Sequence, residues 1–279
     1  MFIIKSKLLK NIINYINSNI KLKSIFNHSL RKYKIKFLLE YVIKILYTGL
    51  SFRKVIEYSR SNIHWNTIYK FFIKLQKYNV ISLSYNQTVK RYIKKNVNKD
   101  SNIFLTDTTL IQNKLGIDNT GYTPQLLKHK TSKISLITDD IGIPIIATIL
   151  PGNTNDIFDI QFNEFTENHI LLLNNKNIML GDAGYDSQKL RNKLLNTNFG
   201  KLLTSKNKRN IKNKDILLNL KLSPDDKKLL KKRIRIEHTN SHLKQYKRLS
   251  LRYDKYSINY QVFIHLACID LITKRTNIK

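Results

Sequence analysis

The sequence predicts a mixed α/β domain preceded by a small all-helical domain, and three observations carry that expectation. Apolar residues recur at helical spacing as far as about residue 98. From residue 101 the period changes, and short β-type runs alternate with helical ones. Between them, "KRYIKKNVNKDSN" is basic and rich in Asn, as a linker is. The expected boundaries are therefore 1–98 for the helical region and 101–279 for the α/β domain.

In the first region, "FLLEYVIKILYTGLSFRKVIEYS" has the helical repeat, punctuated by Gly49 and Ser51. "TGLSFRKVIEYSRSNIHWNTIYKFFIKLQKY" reads as short helices joined by tight turns, the second opening near Asn66 or Thr67. A helix-turn-helix and an ordinary small bundle both fit this pattern. Trp65, Tyr69 and Phe72 are expected in its core. In the second region "NIFLTDTTLI" is a strand, and "SKISLITDDIGIPIIATIL" is a hairpin turning at Asp140–Gly142. "NTNDIFDIQFNEFTENH" reads as a helix, "KNIMLGDAGYD" as a short strand, and "SQKLRNKLLN" as a helix capped by Asp186 and Ser187. "GKLLTSKN" is a further strand. Ser223, Pro224, Asp225 and Asp226 make a helix start, with a capping hydroxyl, a proline in the first turn and acids at the positive end of the dipole. Nothing breaks that helix before about Lys247.

A 279-residue chain with 42% hydrophobic content can bury a sizeable core. Its formal charge is +31, and the distribution of that charge matters more than the total. Residues 1–100 carry 21 Lys and Arg against 3 Asp and Glu, and residues 201–279 carry 21 against 6. Residues 101–200 carry 8 against 10. An AT-rich genome would raise the Lys count, but such a bias does not explain why the middle third escapes it. Basic flanks around a slightly acidic centre suit a protein that grips a polyanion and holds a cation. The single cysteine, Cys268, excludes an intrachain disulfide and a cysteine-based zinc site. No apolar run approaches the roughly 18–20 residues of a membrane span. "MFIIKSKLLKNIINYINSNIKLK" lacks the small-residue cleavage site of a secretory signal. The expectation is an intracellular protein that works with DNA and has no membrane partner.

Three acids stand in unusual company. Asp107 lies inside an apolar strand, Asp182 ends another between Gly181 and Ala183, and Glu237 sits among Arg and Lys in "RIRIEHTNSHLKQYKRL". Carboxylates brought from separate elements can hold two divalent ions about 4 Å apart, the arrangement that assists phosphodiester chemistry. Oxygen-only ligands favour Mg²⁺ or Mn²⁺. At about 100° per residue, Arg233, Glu237, Asn240 and Lys244 share one arc of a helix, beside an apolar stripe of Leu229, Ile236 and Leu243. Arg233, Asn240 and Lys244 are then candidates for contact with DNA phosphates. An ordinary i,i+4 ion pair between Arg233 and Glu237 fits the same spacing. Lys128, Lys130 and Lys133, around "KLGIDNTGYTPQLLKHKTSK", and Lys247 and Arg248 are further candidates for the DNA backbone; a solvated loop is the plain alternative for the first three. Asp139 and Asp140 are expected as turn formers rather than ligands, and Asp156 as a helix cap or a support to the site. His238 and His242 have the i,i+4 spacing of a zinc pair, but no third ligand is evident.

Taken in order, "TDTTLI", "SLITDDIGIPIIATILPGNTND", "MLGDAGYDS" and "RIRIEHTNSHLKQYKRL" resemble successive motifs of the DDE transposases of the insertion-sequence four/five type. The resemblance covers roughly residues 101–275, and residues before it are only loosely similar to that family's helical DNA-binding region. It implies a ribonuclease-H-like fold, with a mixed sheet flanked by helices. It also implies an acid triad of Asp107, Asp182 and Glu237 holding two Mg²⁺ or Mn²⁺ ions. Arg233 and Lys244 match the Arg and Lys of the family's last-helix signature, whereas Leu230 stands where the family has Tyr. The implied partners are the terminal inverted repeats of an element, target DNA and a second copy of the chain. Two alternatives remain at this point: a catalytically inactive DNA-binding protein derived from a transposase, and a stand-alone nuclease.

Overall fold

The computed structural model describes residues 6–27, 32–96, 102–124, 129–154, 174–205 and 222–276. Six helices come first: α1 (Ser6–Ser18), α2 (Ile20–Phe26), α3 (Ile35–Thr48), α4 (Phe52–Tyr58), α5 (Trp65–Lys77) and α6 (Val80–Asn96). Their ends follow local chemistry. Asn19, Ser51 and His64 each cap the helix that follows by accepting a backbone N–H. Gly49 closes α3 at φ +71°, a backbone state that a side chain disfavours. The second helix of the proposed helix-turn-helix begins at Trp65, one residue before the expected start. Of the three aromatics assigned to the core, only Phe72 is buried. Tyr69 is 38% exposed and Trp65 half-buried beneath the Arg53 guanidinium, 4.7 Å from its ring centre. Short helices leave one side of the ring cluster open to solvent.

The α/β region contains β1 (Ile103–Asn113), β2 (Gly121–Tyr122), β3 (Lys130–Asp139), β4 (Pro144–Pro151), β5 (Asn177–Gly181), α7 (Gln188–Asn196) and β6 (Gly200–Thr204). After these come α8 (Pro224–Leu230), α9 (Ile234–Gln245), α10 (Lys247–Ser250), β7 (Leu251–Arg252) and α11 (Ser257–Arg275). All seven strands form one sheet. β1 is central: β3 pairs with it antiparallel and β5 parallel, β4 continues beyond β3, and β6 beyond β5. Three antiparallel strands followed by two parallel to the first make up a mixed sheet, as the resemblance implies. The β3–β4 hairpin turns where expected. Asp139 accepts the backbone N–H groups of Ile141 and Ile143, and Gly142 takes φ +85°. The expected helix in 153–169 lies largely outside the described residues.

The helix predicted from Ser223 to Lys247 is not continuous. Ser223 does cap it, accepting the Asp226 N–H at 3.0 Å, with Pro224 in the first turn. Residues 231–233 then tighten into a 3₁₀ turn before α9 starts. The backbone stays right-handed helical through the junction, so the two helices are joined without a loop. Asp186 is also reassigned: Ser187 alone caps α7, while Asp186 pairs with Arg191 at 2.8 Å.

One hydrophobic core runs from Leu8 to Ile272, across the change of secondary structure near residue 100. Its centre is α11, buried on nearly every face and packed against α6 on one side and β4 on another. The polar groups that this helix carries inward are all partnered. Asp270 accepts from Tyr47, Tyr246 and Lys274, and His265 bonds Ser82 and Gln261. Its start is tied to the sheet by Asp118, which accepts from Ser257 and from the fully buried Arg252.

Candidate active site

Strand pairing brings the first two acids together. Leu105 on β1 lies opposite Leu180 on the parallel strand β5. Continuing the same register by two residues sets Asp107 beside Asp182, at the edge where β5 ends. Asp182 stops that strand itself. Its carboxylate accepts the Gly184 N–H at 2.7 Å and so starts a 3₁₀ turn over Ala183–Tyr185. A side chain at Gly181 would press on Tyr185, since its Cβ would stand 2.9 Å from the tyrosine's own.

The third acid arrives on α9. Ile236 and Leu243 bury the helix against the sheet, and Thr239 Oγ1 donates to the Gly142 carbonyl at 2.7 Å, clamping it to the hairpin turn. Glu237 lies in the first turn of α9, exposed. Three residues further on, Asn240 donates from Nδ2 to Asp107 Oδ2 at 2.8 Å. Residues three apart lie on one face of a helix, so the turn that reaches Asp107 also carries Glu237.

Burial raises the Asp107 carboxyl to a pKa of about 6. The Thr108 N–H and the Arg233 charge oppose that rise, and the negative charges of Asp182 and Glu237 add to it. Asp107 thus feels both of the other acids and the arginine. Burial draws the Lys244 ammonium below its ordinary value, opposed by attraction to Asp107. Among the described residues there is no ion pair between Arg233 and Glu237; the guanidinium acts on Asp107 instead. A cleft of about 470 Å³ opens in front of Asp107 and Asp182, lined also by Thr108, Tyr122, Lys133 and Asn153. No three His, Cys, Asp or Glu side chains among the described residues are already gathered at the spacing of a formed metal cluster.

The remaining candidates divide. Lys133 lines the cleft and donates to the Thr154 carbonyl at 2.8 Å. Lys130, Lys244 and Lys247 are exposed, and Lys128 lies outside the described residues. Arg248 is not at a surface that DNA can reach. It is 7% exposed, paired with Asp254 at 2.6 Å and placed over the Phe263 ring, contacts that offset the cost of burying its charge. Asn240, expected to meet phosphate, is likewise 7% exposed, and its donor is directed to Asp107. His242 is engaged within the fold through one ring nitrogen: the His238 carbonyl lies 2.6 Å from His242 Nδ1, and Arg275 reaches the same atom. Asp139 is a turn former, as expected, and also accepts from Tyr92 of α6. Asp140 pairs with Lys232, and Asp156 lies outside the described residues. Thr108, Tyr122 and Asn153 were not singled out from the sequence. Thr108 adjoins Asp107 and Asn153 sits in "PGNTND", but neither residue type signals a role without its neighbours.

A family model described as "Transposase DDE domain" matches residues 98–270. A cryo-EM structure of a piggyBac transposase synaptic complex with hairpin DNA is similar in fold, with a TM-score of 0.53 and 11% identity. That similarity covers 95% of this chain and 71% of the other. A crystal structure of a pre-cleavage Mos1 transpososome matches 79% of this chain and 78% of the other, at 11% identity. Its TM-score of 0.28 is too low to support a structural argument. No curated protein matches the sequence.

Proposed function

The chain belongs to the family of transposases that carry the DDE domain, and from that premise we propose that Asp107, Asp182 and Glu237 are its catalytic and metal-holding carboxylates. Enzymes of this family cleave DNA and transfer strands, and use divalent metal ions. The observation that carries the residue assignment is geometric: the β1–β5 register sets Asp107 beside Asp182, and the turn of α9 that bonds Asp107 through Asn240 also carries Glu237.

The donor set fits the metal. Three carboxylates supply only oxygen, which suits Mg²⁺ or Mn²⁺ rather than zinc, and a cation would offset the burial and, to a lesser degree, the repulsion that raise Asp107. Two such ions, when bound, supply Lewis acidity at the attacking and leaving oxygens of a phosphodiester. The side chains do the rest. Asp107 is fixed by its strand and by Asn240, Asp182 by the turn it caps, and Glu237 by the clamped helix. Arg233 and Lys244 place positive charge on either side of Glu237, where phosphates enter. In this reading water attacks the phosphodiester at the element's end, and the freed 3′ hydroxyl then attacks target DNA.

The N-terminal helices would read the terminal repeat, with Lys130, Lys133 and Lys247 along the backbone path, and a homodimer would bring two ends together. Strand cleavage on DNA carrying the element's own ends, with Mn²⁺, tests the assignment. Asp182→Asn should lower cleavage by at least about 100-fold while leaving DNA binding intact. Equal cleavage by the variant removes Asp182 from the site. Tight binding of those ends without cleavage by the unaltered protein favours the inactive binder.

A further inference from the structure

We propose that Asn240 is a positioning residue of the metal site: its amide holds Asp107 Oδ2 and so fixes which carboxylate oxygen is left to face a cation. The inference rests on the reading that Asp107 is a metal ligand. It goes beyond that reading by giving the sheet and the helix a shared part.

The geometry supports a directed role. An ionised carboxylate only accepts, so the amide must turn its N–H end towards Asp107, and the 2.8 Å contact has that polarity. Asn240 has little freedom to move. Its neighbour Thr239 is bonded to the hairpin carbonyl, and Ile236 and Leu243, one turn to each side, are fully buried. Asn240 and Glu237 share one turn of α9. Docking of that helix therefore orients the acid on β1 and delivers the acid on α9 in a single event.

The other end of the amide argues against a merely structural role. Asn240 Oδ1 is buried and has no hydrogen-bond partner among the described residues. A carbonyl left this way destabilises a fold, and an apolar side chain of similar shape avoids that cost. The residue is thus poorly suited to packing and well suited to holding Asp107.

The decisive variant is N240L, which keeps the approximate shape and removes both ends of the amide. Three measurements on the full chain are needed: thermal unfolding in EDTA, terbium luminescence titration without DNA, and the Mn²⁺ concentration that gives half-maximal cleavage. The expected result is an unfolding midpoint close to wild type, because relief of the unpaired carbonyl offsets loss of the contact to Asp107. Terbium binding should weaken by about 10-fold or more, the range seen when a partner behind a metal ligand is lost. The Mn²⁺ requirement should rise by a similar factor, with cleavage recovering at saturating metal. N240S keeps a donor and should fall between the two; it decides the matter if N240L does not fold. Unchanged terbium affinity and Mn²⁺ dependence in a folded N240L overturn the proposal, as does a lowered midpoint with unchanged affinity. D107N separates the two levels of the argument. If it too leaves terbium binding and cleavage unchanged, the metal assignment of Asp107 fails, and the role of Asn240 with it.

Discussion

Asp107 is kept where its charge is costly. Its carboxyl titrates near pH 6, above the ordinary aspartate value, so the folded state favours the protonated form. Stability is therefore lost as pH rises from about 4 through 6, and that loss persists above it. In EDTA, Asp107→Asn should stabilise the protein by about 1–2 kcal/mol at pH 8, a figure discounted for the open cleft, and by almost nothing at pH 4. Denaturant unfolding at the two pH values checks this; equal effects at both would mean that the variant acts through packing alone. The acid itself could be picked out from the sequence because a charge inside "IFLTDTTLI" breaks an apolar run. Arg248 could not be. It looks like Lys247 beside it, and only the fold shows Asp254 and the Phe263 ring closing over it. Asn240 was noticed for the right helix face but for the wrong contact. Helical spacing shows which residues share a face, but it does not show how deeply that face is buried.

The β3–β4 hairpin turn does more than reverse the chain. Its Gly142 carbonyl accepts from Thr239 of α9 and from Arg275 of α11, and Asp139 at its base accepts from Tyr92 of α6. Three helices are thus fixed to one turn. A Cβ on Gly142 would meet Thr239 Oγ1 at 2.8 Å and the Arg235 carbonyl at 2.9 Å, from a backbone at φ +85°. Gly142→Ala should then cost about 1–3 kcal/mol in thermal or denaturant unfolding. It should also lower cleavage in protein that remains folded, because the displaced helix carries Glu237. Unaltered cleavage would show that α9 tolerates the shift. The turn itself was legible as Asp-Asp-Ile-Gly between two apolar runs. The strands were legible too, because their periods and punctuation are local. The 3₁₀ turn at residues 231–233 was not, since Lys231, Lys232 and Arg233 are acceptable helix formers and carry no local signal for it.

The whole molecule combines a strongly positive exterior with a small acidic centre. A chain of net charge +31 that binds DNA by its backbone displaces many counterions. Its affinity should fall on the order of 1,000-fold or more between 50 and 200 mM salt. Filter-binding or anisotropy titrations over that range test it, and a flat response would remove the basic flanks from the interface. The boundary near residue 100 marks a true change of periodicity, but periodicity does not reveal what packs on what. "VFIHLACIDLIT" is visibly apolar, yet nothing local says that it serves the N-terminal helices and the sheet alike. That shared helix has a consequence for inheritance. A copy of the gene interrupted before codon 257 would encode neither a folded α/β region nor a free-standing helical one, because both would lack their common wall. Such broken copies should yield products cleared by proteolysis rather than inhibitors that compete for DNA.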